Sequence, residues 1–219
     1  MGFRRRSFAD HCPEEKIISY KGFALPPAPP YAPFHALSSV MKLLVNKEDT
    51  RQVFEIVGAL AGNSHNRFFQ RFVDTEYGSR VVQEPVRVEE ILGRRDWLRS
   101  LPEGSVGRAY LAFMEGEDLT PDGILLAANE AGIDYSAETQ FAELRRMSIH
   151  FDVVHDLWHV LTGYGRDALG EQCVLAFTYG QQPSPAHLFI AYAGGANMKK
   201  TAKPKAPVFK AINEAKRLG

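Results

Sequence analysis

Apolar side chains recur at helical spacing in nearly every stretch of this chain after residue 33. Leu37, Val40, Met41, Leu44 and Val45 form one run, and Val53, Phe54, Val57, Leu60 and Ala61 a second, with Asp49 or Thr50 placed to cap it. Phe68, Phe69, Phe72 and Val73 continue the pattern after Asn63 or Ser64, an aromatic stripe that reads as core rather than as a cofactor surface. Ile91, Leu92, Trp97 and Leu98 predict a short helix ended by Pro102, and 106–114 predicts another. Thr120 followed by Pro121 marks a helix start, and Gly132 marks its stop. Ser136, with Glu138 and Glu143 in the opening turns, predicts the cap of a long helix running through Phe141, Leu144 and Met147. Only 81–88 alternates as a strand does, and Pro85 interrupts it. The pattern predicts an all-α fold, a single multi-helix domain with no repeat of fixed period.

The long helix carries the chain's candidate chemistry. Its continuation reads His155-Asp156-Leu157-Trp158-His159, and Glu171 follows eleven residues later. At roughly 100° per residue, 155 and 159 stack one turn apart with 156 beside them. Gly163 and Gly165 bracket Tyr164 and predict a turn. A new helix from about Asp167, through Leu169, Val174, Leu175 and Phe177, then returns Glu171 alongside as part of an antiparallel helix pair. Trp158, Val160 and Leu161 make the remainder of the first helix apolar, so the polar stripe faces inward or into a cleft. Buried charge of that density requires a compensating cation. His155, Asp156, His159 and Glu171 are therefore the predicted ligands of a divalent metal, and the mixed nitrogen and oxygen set leaves zinc, iron, manganese and nickel open. Asp152 shares the same arc of the helix, where it either orients an imidazole or is simply solvated. Tyr164 is placed either to donate a hydrogen bond toward an oxygen at the metal or to pack.

Rival motifs fit less well. A zincin peptidase uses His-Glu-x-x-His, and Asp156 is one methylene shorter than that glutamate. A metal-dependent HD-type phosphohydrolase needs a further upstream histidine, for which His65 is available, and a downstream aspartate, but no aspartate follows Asp167. A ferritin-like centre needs paired Glu-x-x-His segments, which the chain lacks.

Composition bounds the remainder. With 219 residues, 45% hydrophobic and 24% charged, the chain is sized for one domain with a substantial core. A formal net charge of zero gives no electrostatic case for nucleic acid as a partner. Cys12 and Cys173 are the only cysteines, so there is no disulfide framework, which fits a reducing compartment and a cytoplasmic or membrane-peripheral protein. No apolar run approaches the roughly 18 residues of a membrane span; the best, 186–196, is interrupted by two glycines and a histidine. Segment 24–33 holds five of the thirteen prolines and predicts an extended connector, so that 1–33 forms an N-terminal arm and 34–198 the helical body. In 199–219, seven basic side chains face one glutamate, with Val208, Phe209, Ile212 and Leu218 as an apolar face. That pattern predicts either a basic tail suited to an anionic membrane surface or a frayed terminus.

His-Asp-x-x-His, eleven residues, then Glu resembles the signature of the Coq-four family of ubiquinone (coenzyme Q) biosynthesis proteins, complete here at His155, Asp156, His159 and Glu171. The stretch Leu101-Pro102-Glu103-Gly104-Ser105-Val106-Gly107-Arg108-Ala109-Tyr110 resembles the family's Leu-Pro-x-Gly-Ser/Thr-x-Gly-x-x-Tyr segment, and 160–164 and Gly170-Glu171 also follow its pattern. The resemblance runs from about 34 to 185. It implies a mostly helical protein with those four residues as metal ligands, zinc being the usual proposal and iron or manganese the alternatives. It further implies a polyprenylated quinone precursor or isoprenoid lipid in an adjacent apolar groove, and a peripheral membrane location, on the matrix side of the inner mitochondrial membrane in a eukaryote. Other quinone-biosynthesis proteins are the implied partners; the sequence leaves the oligomeric state open, a homodimer included. The implied activity is oxidative decarboxylation at ring position C1, or alternatively a non-catalytic, lipid-binding scaffold role. Many members carry arginines just before the motif, where this chain has His150-Phe151-Asp152 and its basic pair earlier, at Arg145 and Arg146. A different substrate preference is expected from that departure.

Overall fold

The computed structural model describes residues 16–46, 49–84, 87–130, 132–135, 139–201 and 207–219. It opens with an antiparallel hairpin, β1 (Ile18–Tyr20) and β2 (Phe23–Leu25), in which Tyr20 pairs with Phe23 and Ile18 with Leu25. Lys21 and Gly22 both take positive φ, 50° and 86°, the conformation a two-residue hairpin turn requires. Everything else that is regular among the described residues is helical. Four helices come first: α1 (Pro33–Val45), α2 (Thr50–Leu60), α3 (Ser64–Val73) and α4 (Glu76–Gln83). Short α5 (Val88–Leu92) and α6 (Arg95–Ser100) lead into α7 (Val106–Gly116) and α8 (Pro121–Glu130). The chain closes with α9 (Ala142–Thr162), α10 (Ala168–Gln181), α11 (Pro185–Thr201) and α12 (Val208–Leu218).

The 21-residue α9 is the axis of the domain. On one side, Leu144 and Met147 join Leu25 of the hairpin, Phe68, Phe69 and Val73 of α3 and Val82 of α4. On another, Val153 meets Leu92, Leu98, Tyr110, Leu111 and Met114 from α5 to α7. Val154 and Trp158 pack on Val174 of α10. Behind α10, Cys173 and Ala176 pack on Ala191 of α11 and on Val208, Ile212 and Ala215 of α12. A further cluster joins Ala36 and Val40 of α1, Ile56 and Ala59 of α2, and Ala186 and Ile190 of α11. The all-α expectation thus holds, with one small hairpin added.

Several local expectations change. Residues 1–15 lie outside the described residues, but 16–33 are no detached arm: Leu25 is fully buried, and the Phe23 ring meets that of Phe69 edge-on at 5.5 Å. The proline segment after it has no regular structure yet is tied down, Asn66 Nδ2 donating to the Pro26 carbonyl at 2.7 Å and Ala32 N–H to that of Ala59 at 2.8 Å. The strand-like alternation at 81–88 is helical on both sides of its proline: Val82 is buried on α4, which Thr75 caps at Gly78 N–H, and Val88 opens α5. Pro85 lies outside the described residues. On α1 the predicted apolar run splits, with Val40 buried and Leu44 half-buried. Leu37, Met41 and Val45 are exposed together with Phe34, because small Ala36 and Ser39, with Val40, let α1 approach α2 and α11 closely. Ser136 and Glu138 lie outside the described residues, and α9 begins at Ala142.

The basic C-terminal segment is also not a free tail. Helix α11 runs on to Thr201, and α12 buries Val208 and Ile212 of the expected apolar face together with Ala215, while Leu218 of that face stays exposed. Lys216 lies 5.1 Å above the Tyr179 ring, and Gln181 Nε2 donates to the Gly219 carbonyl at 2.7 Å. Truncating fully buried Ile212 should therefore behave as a core substitution: Ile212→Ala is expected to lower unfolding free energy by about 2–5 kcal/mol in urea titrations. An unchanged midpoint would mean that α12 does not belong to the folded body.

Candidate metal centre

Helix α9 ends where the sequence requires. Gly163 takes φ 72° and returns its N–H to the His159 carbonyl at 2.9 Å, a left-handed cap that L side chains resist. The reversed chain restarts at Asp167, whose side chain accepts from the N–H groups of Leu169 and Gly170 and so caps α10. The turn brings Glu171, one helical turn into α10, against the polar stripe of α9. Nitrogen and oxygen atoms of His155, Asp156 and His159 lie within 4.8 Å of one another. Glu171 Oε2 is 3.8 Å from His155 Nε2 and 3.6 Å from His159 Nε2. All four predicted ligands are thus brought together.

His159 shows how the set is prepared. Its side chain is fully enclosed, with its ring stacked on Phe113 at 5.5 Å and 17°. Nδ1 lies 2.9 Å from the Tyr164 carbonyl, which can only accept, so Nδ1 carries the hydrogen. In the neutral ring Nε2 is then a bare lone pair, and it is a buried atom with no hydrogen-bond partner. A carbonyl behind an imidazole, fixing its tautomer, is the usual support of a metal-bound histidine. The Tyr110 hydroxyl, from α7, is a second buried orphan, and its acidity is suppressed first by burial and then by the Asp156 carboxylate nearby. Native structures leave few such groups without partners.

Without a cation, the carboxylates and imidazoles of the cluster answer one another. Burial alone raises the Glu171 pKa, but the two imidazoles outweigh it and hold the carboxyl down at about 2. For His159, burial opposes protonation, while Glu171 and the Tyr164 carbonyl more than compensate and hold its pKa above the ordinary value. Burial pushes the Asp156 carboxyl up, against the pull of His155, His159 and Arg166. The result is a pocket of partly buried negative charge and imidazole nitrogen, the donor set of a divalent cation. Its residues fit a metal.

Other predicted residues take different places. Asp152 is on the same stripe but accepts a 2.6 Å hydrogen bond from Tyr135; burial raises its pKa to about 6, with Tyr135 and His155 opposing. Tyr164 contributes its carbonyl rather than its hydroxyl, while its ring packs beside Cys173, Trp158 and Val174. His65, the upstream histidine a phosphohydrolase requires, lies 3.1 Å from Ser148 Oγ instead of joining the cluster. Sequence reasoning missed four neighbours. Tyr110 was visible only as the last residue of the Leu-Pro-x-Gly segment; Phe113 looked like ordinary core. Buried His187 of α11 lies within the electrostatic reach of His155. Arg166 contacts Glu171 Oε1 at 3.7 Å and Glu117 Oε2 at 3.5 Å.

Two cavities accompany the cluster. A groove of about 720 Å³ is lined by Leu60 of α2, Tyr179 of α10, and Pro185, Leu188, Phe189 and Tyr192 of α11. A smaller one, about 380 Å³, is lined by Phe72, Tyr77, His150, Phe151 and Trp158 with Arg71, on the side of α9 away from the ligands.

An all-helical domain with a His–Asp–His–Glu cluster between antiparallel helices defines a class: helical proteins with a site suited to a divalent cation. Comparison with known proteins narrows it. The sequence profile of the family described as coenzyme Q (ubiquinone) biosynthesis protein Coq4 matches residues 32–215, and the chain belongs to that family. Among its relatives, the mitochondrial ubiquinone biosynthesis protein COQ4 homologs of Bos taurus and Homo sapiens are each 32% identical over 120 residues, covering 53% of this chain and 41% of theirs. The mitochondrial ubiquinone biosynthesis protein coq4 of Aspergillus flavus is 28% identical over 102 residues, 47% of this chain and 33% of its own. The matches thus span under half the length of these curated relatives. The crystal structure of a putative ubiquinone biosynthesis protein from Nostoc punctiforme shares the fold, with a TM-score of 0.60 at 17% identity over 86% of this chain and 84% of that one.

The close approach of turn and helix is testable. A Cβ on Gly170 would collide with the Gly165 carbonyl, a backbone atom that cannot step aside. Gly170→Ala is expected to cost about 1–3 kcal/mol in denaturant unfolding and to weaken metal uptake by displacing Glu171. Unchanged stability and unchanged uptake would show that this approach does not set the site.

Proposed function

We propose that this protein acts in ubiquinone biosynthesis as a metal-dependent enzyme on a polyprenylated aromatic ring, an oxidative decarboxylation in which the C1 carboxyl group leaves as carbon dioxide, one atom of dioxygen becomes the C1 hydroxyl, and an external two-electron donor reduces the other atom to water. The observation that carries the reading is the buried, unpartnered Nε2 of His159, aimed from a fixed tautomer into a cluster that also holds His155, Asp156 and Glu171. Those four side chains hold the divalent metal. Bound there, the ion supplies a Lewis acid for an oxygen of the ring substrate and, if it is iron or manganese, a redox change that zinc lacks. The chain's own groups do the remainder. The Tyr110 hydroxyl, buried without a partner, donates to a substrate oxygen; Phe113 covers His159 and keeps water from it. The Tyr164 carbonyl keeps the proton of His159 on Nδ1 throughout.

The groove along α11 accommodates an isoprenoid tail. Its lining is almost wholly apolar, and its Pro185–Leu188 end adjoins His187, which His155 influences. A substrate of this kind resides in a bilayer, so the protein works at a membrane surface beside other quinone-biosynthesis proteins, within mitochondria if its host has them. No helix among the described residues is long and apolar enough to cross a membrane. One observation favours the second reading, a non-catalytic lipid-binding scaffold: the groove is lined by none of the four candidate ligands.

Two experiments follow. Metal-free protein is expected to take up about one equivalent of cobalt(II), zinc or iron(II) and to gain about 2–3 kcal/mol of stability at a hundredfold excess over Kd; His159→Ala should abolish both. Equal uptake by the variant would contradict the site. Deletion of the gene is expected to accumulate a prenylated, C1-carboxylated precursor in lipid extracts, restored by the wild type and not by His155→Ala or Glu171→Ala. Rescue by both variants would select the scaffold reading, and equal turnover with zinc alone and with iron would exclude the redox role of the metal.

A further inference from the structure

We propose that Arg166 determines substrate specificity at this centre by binding the carboxylate of an aromatic acid held beside the metal. The inference rests on the metal-centre reading above and names the group that recognises the substrate's anion. Arg166 lies in the turn between the two ligand-bearing helices, next to the cap of α10. Its Nε is 3.7 Å from Glu171 Oε1, and its Nη1 is 3.5 Å from Glu117 Oε2. Both contacts are long, neither is bidentate, and every side chain involved is partly exposed, so each holds the guanidinium weakly. Glu171 meanwhile directs its other oxygen, Oε2, at the two imidazoles. Arg166 also acts on Asp156, so one cation stands beside both candidate carboxylate ligands without being consumed by either.

A divalent cation changes this balance. It compensates Asp156 and Glu171 directly, and the pull of those carboxylates on Arg166 falls. A planar guanidinium with five donors then presents an edge that pairs a carboxylate in two parallel hydrogen bonds, a geometry an ammonium lacks. Its neighbours make it necessary. Asp152 and Glu117 remain as further acid beside the site, which disfavours an anionic substrate unless a second cation receives it. Arg95, whose charge reaches Tyr110, is already committed to the Leu119 carbonyl at 2.8 Å. Arg166, with its side chain 35% exposed, faces the solvent from which substrate arrives.

The test uses the full chain loaded with cobalt(II), whose visible absorption reports occupancy and geometry independently of turnover. Calorimetric titrations with 4-hydroxybenzoate, 4-hydroxybenzamide and inorganic phosphate are compared for the wild type, Arg166→Gln and Arg166→Lys. The wild type is expected to bind the benzoate on the order of tenfold more tightly than the amide or phosphate. Arg166→Gln should keep the cobalt spectrum and lose that preference, and Arg166→Lys should recover only part of it. A preference retained in Arg166→Gln, stronger binding of phosphate, or no binding of the benzoate by cobalt-loaded wild type overturns the proposal. So does loss of cobalt from Arg166→Gln, which would make Arg166 a support for Glu171 only. Failure of the wild type to take up cobalt instead removes the metal-centre reading itself, and this inference with it.

Discussion

The carboxylate of Glu171, held between two imidazoles against its cost of burial, is the interaction on which the site depends. An ionised side chain in such a place is stable only when its neighbours answer its charge. His155 and His159 do so from one helix. That arrangement exists only if the chain reverses within a few residues after His159. Gly163 supplies the left-handed cap, Asp167 restarts the helix, and Gly170 lets the backbones of turn and helix touch.

The remainder of the fold keeps that pair of helices in place. Helix α9 is packed on one side by the hairpin, α3 and α4, and on another by α5 to α7, so its polar stripe cannot rotate away from α10. Helices α11 and α12 back α10 from behind, and α11 lines the apolar groove together with Leu60 of α2 and Tyr179 of α10. One scaffold therefore carries both a charged cluster between α9 and α10 and an apolar groove along α11. Helix α7 adds Phe113, stacked on the His159 ring, and Tyr110, whose hydroxyl feels the charge of Asp156.

The two-helix clamp was legible because its signals are local. Two histidines four apart, glycines after them and an aspartate cap are read at helical period without knowledge of what packs where. What failed depended on contacts remote in sequence. The hairpin strands are three residues each, too short for alternation to register, and Leu25 is buried only because α3 and α9 meet it. On α1 the larger side chains suggested the core face, whereas small Ala36 and Ser39 take it. The C-terminal lysines masked a helix whose apolar face closes the body. The partners of Asp152 and of the Tyr164 carbonyl, the Tyr135 hydroxyl and the His159 ring nitrogen, are matters of side-chain geometry. Arg166 carried no signal at all, being a single basic residue in a turn.

X-ray absorption at the metal edge tests the central claim most directly. On full-length protein loaded with one equivalent of zinc or iron(II), the account predicts a first shell of nitrogen and oxygen at roughly 2.0–2.2 Å, with the outer-shell scattering of two imidazoles that falls to one in His159→Ala. A shell of water oxygens alone, or a spectrum that His159→Ala leaves unchanged, would contradict it.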